Sequence, residues 1–371
     1  MTIAAPGFAN CHSHVFHRAL RGRVTGADSF WTWREQMYAL AAVLDPTLLF
    51  DLAAATYAEM RLAGIRTVGE FHYVHHQPGG GRYDDPNAMG EALIAAAREA
   101  GVRIALLDTC YLAAAPGREP EGVQRRFSDG DAEAWAQRVD SLASKHARVD
   151  VVVGAAIHSV RAVPRDQLRT VAAALPDRPL HVHVSEQPAE NRESLALTGL
   201  TPVGLLAEAG VWTSRTTAVH ATHLTDADIA TLGSARSFVC FCPTTEAELA
   251  DGIGPSVALR EAGARLTLGS DSNTVIDMFA EARGIEMHER LASGVRGSWS
   301  AKQLWSAATS TGHSSLGFDD ADPIGLGVSA RTAGADELLW AATAADVVPE
   351  LDPAEVATRL TRAIESCWER M

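Results

Sequence analysis

The chain is short of cysteine, short of positive charge and free of long apolar runs. Its five cysteines, Cys11, Cys110, Cys240, Cys242 and Cys367, are a sparse and odd-numbered set, which argues against a secreted disulfide framework. Cys240 and Cys242 are too close in sequence for a typical zinc knuckle and read as two inert thiols on one strand face. Only 32 Lys and Arg stand against 46 Asp and Glu, giving a net charge of −14. Nucleic acid needs a basic footprint, so it is excluded as a partner, and any anionic ligand must be held by local arginines. No run of about 18 apolar residues suggests a membrane span. No charged n-region followed by an apolar h-region opens the chain. The expectation is a soluble cytoplasmic protein with no membrane partner.

What is present is a large apolar content, 47% of 371 residues, enough for one barrel domain of about 250 residues plus additions. Eight strand-like apolar runs alternate with helical patterns: 8–16, 65–71, 102–112, 149–160, 179–184, 217–224, 237–242 and 265–269. Several helical stretches end in Gly, as at Ala63-Gly64, Ala100-Gly101 and Ala262-Gly263. Eight continuous apolar strands separated by helices predict an α/β fold, a (β/α)8 TIM barrel over residues 1–316. The connection from Phe16 to Pro46 is long, reads as a loop, and carries Trp31, Trp33 and Arg34, which could wall a pocket and hold an anion. Residues 299–316 read as one helix. Residues 317–371 read as a tail that is first Gly-rich and then helical.

Ionisable residues cluster at the ends of the predicted strands. Asn10-Cys11-His12-Ser13-His14 opens the set, and the period of two puts both imidazoles on one strand face. His181-Val182-His183-Val184-Ser185-Glu186 follows on the fifth strand, His220 on the sixth, and Gly269-Ser270-Asp271 on the eighth. Burying an unpaired charge is costly, so four such strand ends on one barrel face point to chemistry rather than packing. Paired imidazoles at a strand end suit a divalent transition metal.

This combination resembles the amidohydrolase superfamily of metal-dependent hydrolases, and Glu186, three residues after His183, resembles its one-metal deaminase branch. Residues 10–19, 28–35, 70–76 and 158–163 are similar to the formimidoylglutamate deiminases of histidine breakdown. The resemblance implies that His12, His14, His183 and Asp271 hold one Zn2+, and that Glu186, His220 and Asp271 handle protons. It also implies that Arg34, Tyr73, His158 and Arg161 contact a small dicarboxylate substrate, and that the chain forms a homodimer. Zinc is a preference, because such a ligand set accepts several metals. The implied reaction is hydrolysis of N-formimidoyl-L-glutamate to N-formyl-L-glutamate and ammonia.

Two departures stand out. His17 occupies a position where the family usually has a substrate-binding Gln, so the contact there would differ. The small β-sandwich that normally flanks the barrel is expected to be reduced or absent. His72, His75 and His76 could suggest a second metal cluster but read better as loop residues near the pocket; His223 reads as structural. Tyr73 could instead be a core anchor, and Arg34 and Arg161 surface ion-pair partners. Two competing readings remain: an aminohydrolase acting on a purine or pterin, and a metal-free binding protein on a barrel fold.

Overall fold

A computed structural model describes residues 2–24, 30–146, 148–319, 321–327 and 335–371, with only the backbone for residues 30–32 and 335–336. Asp28 and Ser29 of the motif at 28–35 therefore lie outside the described residues. Eight parallel strands form one sheet in sequential order: β1 (Phe8–Ser13), β2 (Ile65–His72), β3 (Arg103–Cys110), β4 (Val151–Ile157), β5 (Leu180–Val184), β6 (Thr216–His220), β7 (Phe238–Phe241) and β8 (Arg265–Leu268). Nearly every strand residue is buried, as expected when helices cover one face and the barrel interior the other. The (β/α)8 barrel read from the eight apolar runs is the fold observed.

The ring closes just beyond the ends of β1 and β8. The Asp271 N–H donates to the His12 carbonyl at 2.9 Å, and the His14 N–H donates to the Asp271 carbonyl at 2.9 Å. The Asn10 side chain staples the same seam, accepting the Ser270 N–H at 2.9 Å and donating to Ser270 Oγ at 2.6 Å. Gly269 has no side chain to spare here: a Cβ would lie 2.7 Å from the His12 carbonyl oxygen and 2.8 Å from its Cβ.

The covering helices carry their stop and start signals locally. Asp45 caps Pro46–Leu62 by accepting the Leu48 N–H, and Asp131 caps Ala132–Lys145 by accepting the Ala134 N–H. Ala88–Ala100 ends at Gly101 with φ +70°, a left-handed position that favours glycine.

Four expectations need correction. Val15 and Phe16 do not extend β1; Val15–Leu20 is a 3₁₀ turn. Buried Glu70 accepts the Val15 N–H at 2.7 Å and the Ser13 hydroxyl at 2.9 Å, which pulls the chain out of the sheet. The supposed loop before Pro46 contains a helix, Phe30–Val43. The stretch 299–316 is two helices, Ala301–Ala308 and Ser310–Ser315, broken at Thr309. His72, His75 and His76 are not near the pocket. They are buried between the barrel wall and helix Ala132–Lys145, with Asp108, Asp129 and Arg138.

Outside the barrel, among the described residues, Ile3–Ala5 pairs antiparallel with Ile324–Leu326 as a two-stranded sheet. Helix Pro353–Arg370 packs on Pro46–Leu62, and the Trp368 indole N–H donates to the Ala19 carbonyl at 2.8 Å. Among the described residues no single helix is long and apolar enough to cross a membrane; the bent pair Trp33–Val43 and Pro46–Leu62 passes by length and composition alone.

Candidate active site

The ends of β1, β2, β4, β5, β6 and β8 open into one cavity of about 810 Å³, counting its mouth. Its floor holds His14, His183, His220, Glu186 and Asp271; its walls hold His17, Trp33, Arg34, Tyr38, Tyr73, Tyr111, Phe127, His158 and Arg161. His12 lies just beneath, fully buried. The residues implied for metal, proton handling and substrate contact thus lie in or under one cavity; the Trp31 side chain lies outside the described residues. His220 at φ +67° and Asp271 at φ +44° adopt left-handed backbone conformations that non-glycine residues rarely hold. Such strain, imposed by the strand ends, is common at functional sites.

Four side chains converge at the seam. His12 Nε2 lies 3.1 Å from His183 Nε2, and Asp271 Oδ1 lies 3.5 Å from Nε2 of both His12 and His14. The tautomers follow from the carbonyls behind the rings. His14 Nδ1 lies 2.9 Å from the Phe71 carbonyl and His183 Nδ1 lies 3.0 Å from the His158 carbonyl. A carbonyl only accepts, so both Nδ1 atoms carry the proton and both Nε2 atoms present lone pairs. Burial, then the neighbouring imidazoles, keeps His14 and His183 far below the usual histidine pKa and therefore neutral. Burial opposes the Asp271 carboxylate, but His12, followed by His14 and His220, holds its pKa well below the usual range.

Lone pairs of two imidazoles and a carboxylate thus face one another in buried space, an arrangement that a cation resolves. Ligand atoms about 2.0–2.2 Å from a tetrahedral zinc would be roughly 3.3–3.6 Å apart, close to the separations found here. The donor set fits a divalent transition metal.

Beside this cluster, His220 Nε2 lies 3.9 Å from both Glu186 Oε1 and Asp271 Oδ2. Its other nitrogen, Nδ1, lies 3.3 Å from Glu246 Oε1, an oxygen that also accepts the Cys242 N–H at 2.8 Å. Burial opposes the His220 charge, but Glu186, Glu246 and Asp271 outweigh it and raise the pKa well above the usual value. Glu246 was not foreseen from the sequence. Its signal was a carboxylate one turn past the end of β7, on the same barrel face as the others.

The upper walls are aromatic and cationic. His17 Nε2 lies 3.1 Å from the Tyr73 hydroxyl, and its ring packs over His14 at 4.6 Å between centroids. The Arg34 guanidinium lies over the Tyr38 ring at 5.4 Å. Arg161 Nε is buried without a hydrogen-bond partner among the described residues. His158 Nδ1 lies 3.3 Å from Ser159 Oγ. His181 points away from the cluster, its Nε2 3.5 Å from the Ser315 carbonyl, and His223 Nε2 lies 2.7 Å from the Asp251 carbonyl. Both are structural contacts. Cys240 and Cys242 are buried.

Comparison with known proteins agrees with this geometry. Formimidoylglutamate deiminase of Pseudomonas aeruginosa is 39% identical over 293 residues, which cover 77% of this chain and 64% of that protein, just under two thirds of its length. 5-Methylthioadenosine/S-adenosylhomocysteine deaminase of Teredinibacter turnerae is 28% identical over 335 residues, 86% of this chain and 68% of that one. The crystal structure of an amidohydrolase from Brucella melitensis superposes with a TM-score of 0.89 at 31% identity, covering 98% of this chain and 90% of that one. The model of the amidohydrolase family matches residues 3–330, a span that takes in all eight barrel strands and every residue of the seam. The chain belongs to the amidohydrolase family.

Proposed function

We propose that the chain is a zinc-dependent hydrolase that converts N-formimidoyl-L-glutamate to N-formyl-L-glutamate and ammonia. The observation that carries this reading is the presence of Arg34 and Arg161 in the same cavity as the metal-ligand cluster. A dicarboxylate needs two cationic partners, and Arg is the side chain best suited to bidentate carboxylate contacts. The likeness to the Pseudomonas deiminase supports the same substrate.

His12, His14, His183 and Asp271 hold the zinc in this reading. When bound, it lowers the pKa of water toward neutrality. Asp271 takes a proton from the attacking water. His220, whose charge the Glu246 carboxylate supports at Nδ1, stabilises the charge that develops as the water oxygen bonds to the formimidoyl carbon. Glu186 delivers a proton to the terminal nitrogen, whose bond to carbon then breaks so that ammonia leaves. Arg34, Arg161, His158, Tyr73 and His17 orient the two carboxylates and the chain between them. His17 acts through an imidazole, already paired with Tyr73, so its contact differs from that of an amide side chain.

A second reading, a deaminase acting on a heterocycle, draws on the Teredinibacter relative and on the ring-lined walls formed by Trp33, Tyr38, Tyr111 and Phe127. The arginines separate the two. Ammonia release from N-formimidoyl-L-glutamate is measured before and after chelation, with zinc restored. Zinc-dependent release that collapses in His183→Ala and falls at least about 100-fold in kcat/KM in Arg161→Ala is expected, on the order of 3 kcal/mol for a lost charged contact. No release from zinc-loaded protein, or release indifferent to Arg161→Ala and Arg34→Ala, would overturn the dicarboxylate reading.

A further inference from the structure

The outer end of the cavity is shaped by a residue that does not touch it. Gln124 is buried in the turn Gly122–Phe127, and its Oε1 accepts the Glu121 N–H at 3.1 Å. That bond fixes the orientation of the amide, because only the oxygen can accept. The Nε2 amino group must then face the other way, where it donates to the Tyr38 hydroxyl at 3.0 Å and to the Tyr111 hydroxyl at 2.9 Å. Both amide protons are used. Each phenol oxygen accepts one of them, so each keeps its own O–H proton to donate elsewhere. The two hydroxyls share the Gln124 amino group, so at most one of their two protons can be spent on the other tyrosine. At least one O–H remains for a partner, and both tyrosines line the cavity.

Ring contacts place this pair away from the metal-ligand cluster. His158 packs on His183 at 5.3 Å between centroids, and Tyr111 packs on His158 at 4.7 Å, one ring removed from the cluster. Arg161 acts electrostatically on the Tyr111 phenol, and Arg34 lies over the Tyr38 ring. The outer end therefore offers hydroxyl donors and guanidinium groups together. Burial and the Tyr38 neighbour push the Tyr111 phenol pKa up, which keeps it a protonated donor.

We propose that Gln124 is a positioning residue, which directs the Tyr38 and Tyr111 hydroxyls as donors to the substrate carboxylate farther from the reacting carbon. This rests on the deiminase reading for the identity of that carboxylate. A carboxylate is the complementary partner because it only accepts. A ligand that donates at that end would meet hydroxyls already turned the wrong way.

The test is Gln124→Glu, a near-isosteric change that keeps an acceptor for the Glu121 N–H. The phenols then donate to the new carboxylate and turn away from the ligand. Zinc-loaded enzyme is assayed with N-formimidoyl-L-glutamate and with N-formimidoyl-L-norvaline, which has a methyl in place of the distal carboxylate. KM for the glutamate compound is expected to rise at least about tenfold, the scale of a hydrogen bond to a charged group. Its kcat stays within about threefold, and KM for the norvaline compound is unchanged. An equal rise for both compounds, or no rise for either, overturns the proposal. Where Gln124→Glu fails to fold, Tyr111→Phe carries the same comparison. Should wild-type enzyme turn over neither compound, the deiminase reading fails, and the subsite is read by calorimetry with glutarate and butyrate. Glutarate binding weakened about tenfold by the substitution, with butyrate unaffected, upholds the subsite; glutarate binding left intact overturns it.

Discussion

Arg126 is a buried cation 1% exposed, and no carboxylate pairs with it among the described residues. Its guanidinium is satisfied by backbone instead. Nε donates to the His76 carbonyl at 3.0 Å, Nη2 to the Leu44 carbonyl at 2.7 Å, and Nη1 to the Ala41 carbonyl. Ala41 lies in the last turn of helix Phe30–Val43 and Leu44 just beyond it, where carbonyls lack helical partners and the helix dipole is negative. Arg126→Met removes three charged hydrogen bonds and leaves three buried acceptors, each worth about 1.5–3 kcal/mol. Partial relaxation and water entry bring the expected loss to about 3–5 kcal/mol, the range of a broken buried network. With an unfolding entropy of about 2 cal/mol/K per residue, a chain of this length loses about 4–6 °C in Tm. The same helix carries Trp33, Arg34, Met37 and Tyr38 into the cavity. On the proposed reading, KM for N-formimidoyl-L-glutamate should therefore rise more than kcat falls. Calorimetry and steady-state kinetics read both effects. A Tm within about 1 °C of wild type would refute the anchoring argument, and a lowered Tm with unchanged KM would refute the link between the helix and the cavity.

Gly269→Ala forces a methyl against the His12 backbone; on the proposed reading, loss of bound metal by elemental analysis is expected, together with a Tm fall larger than that of Arg126→Met. Asp108 accepts from Arg138 at 2.7 Å and from the Trp135 indole at 2.9 Å in full burial. Asp108→Asn leaves the Arg138 charge short of a partner and should cost about 3–5 kcal/mol in denaturant unfolding. Burial opposes the Asp108 carboxylate, but Arg138 outweighs it and lowers its pKa to about 2. Its contribution is therefore present above the unfolded value near 4 and lost as pH falls toward 2; an acid-unfolding midpoint moved upward in Asp108→Asn checks this. Glu281 behaves in the opposite sense. Burial pushes its pKa up to about 8, against the opposing Thr244 contacts. A raised carboxyl pKa gives stability that is complete below the unfolded value of about 4.5 and lost as pH rises through 8. Glu281→Gln should flatten the decline in Tm between pH 6 and 9, and an unaltered slope would assign that decline to other groups.

The barrel was legible because each strand is a continuous apolar run, as at Val151–Ile157, and because the helices between strands end at Gly or begin at capping Asp. The cluster at the seam was legible for a different reason. His12 and His14 share a face by strand period, His183 and His220 lie in the last two residues of β5 and β6, and Glu186 and Asp271 follow the ends of β5 and β8. Helix Phe30–Val43 was not legible as a helix. It presents apolar residues on several sides, some toward the core and some toward the cavity, so no single stripe marks its period. The Val15–Leu20 turn is buried throughout and reads like more strand; only the distant Glu70 redirects it. His72, His75 and His76 were misplaced because alternation along β2 sends Phe71 toward the His12–His183 cluster and His72 outward to the helices. Glu246 and Gln124 act on His220, Tyr38 and Tyr111 across tertiary contacts, which no local spacing records.

The seam between β1 and β8 has a thermodynamic consequence. Across it the Asp271 N–H donates to the His12 carbonyl and the Asp271 carbonyl accepts the His14 N–H, while the Asp271, His12 and His14 side chains face the same point. A cation held there ties the first strand of the ring to the last. Its binding free energy therefore adds to ring closure, by an amount that grows with the logarithm of free metal concentration. Metal loading and closure become two readings of one equilibrium. Stripping the cation should be visible first as faster amide exchange at Asp271 and His14, long before the remaining seven strand pairings loosen.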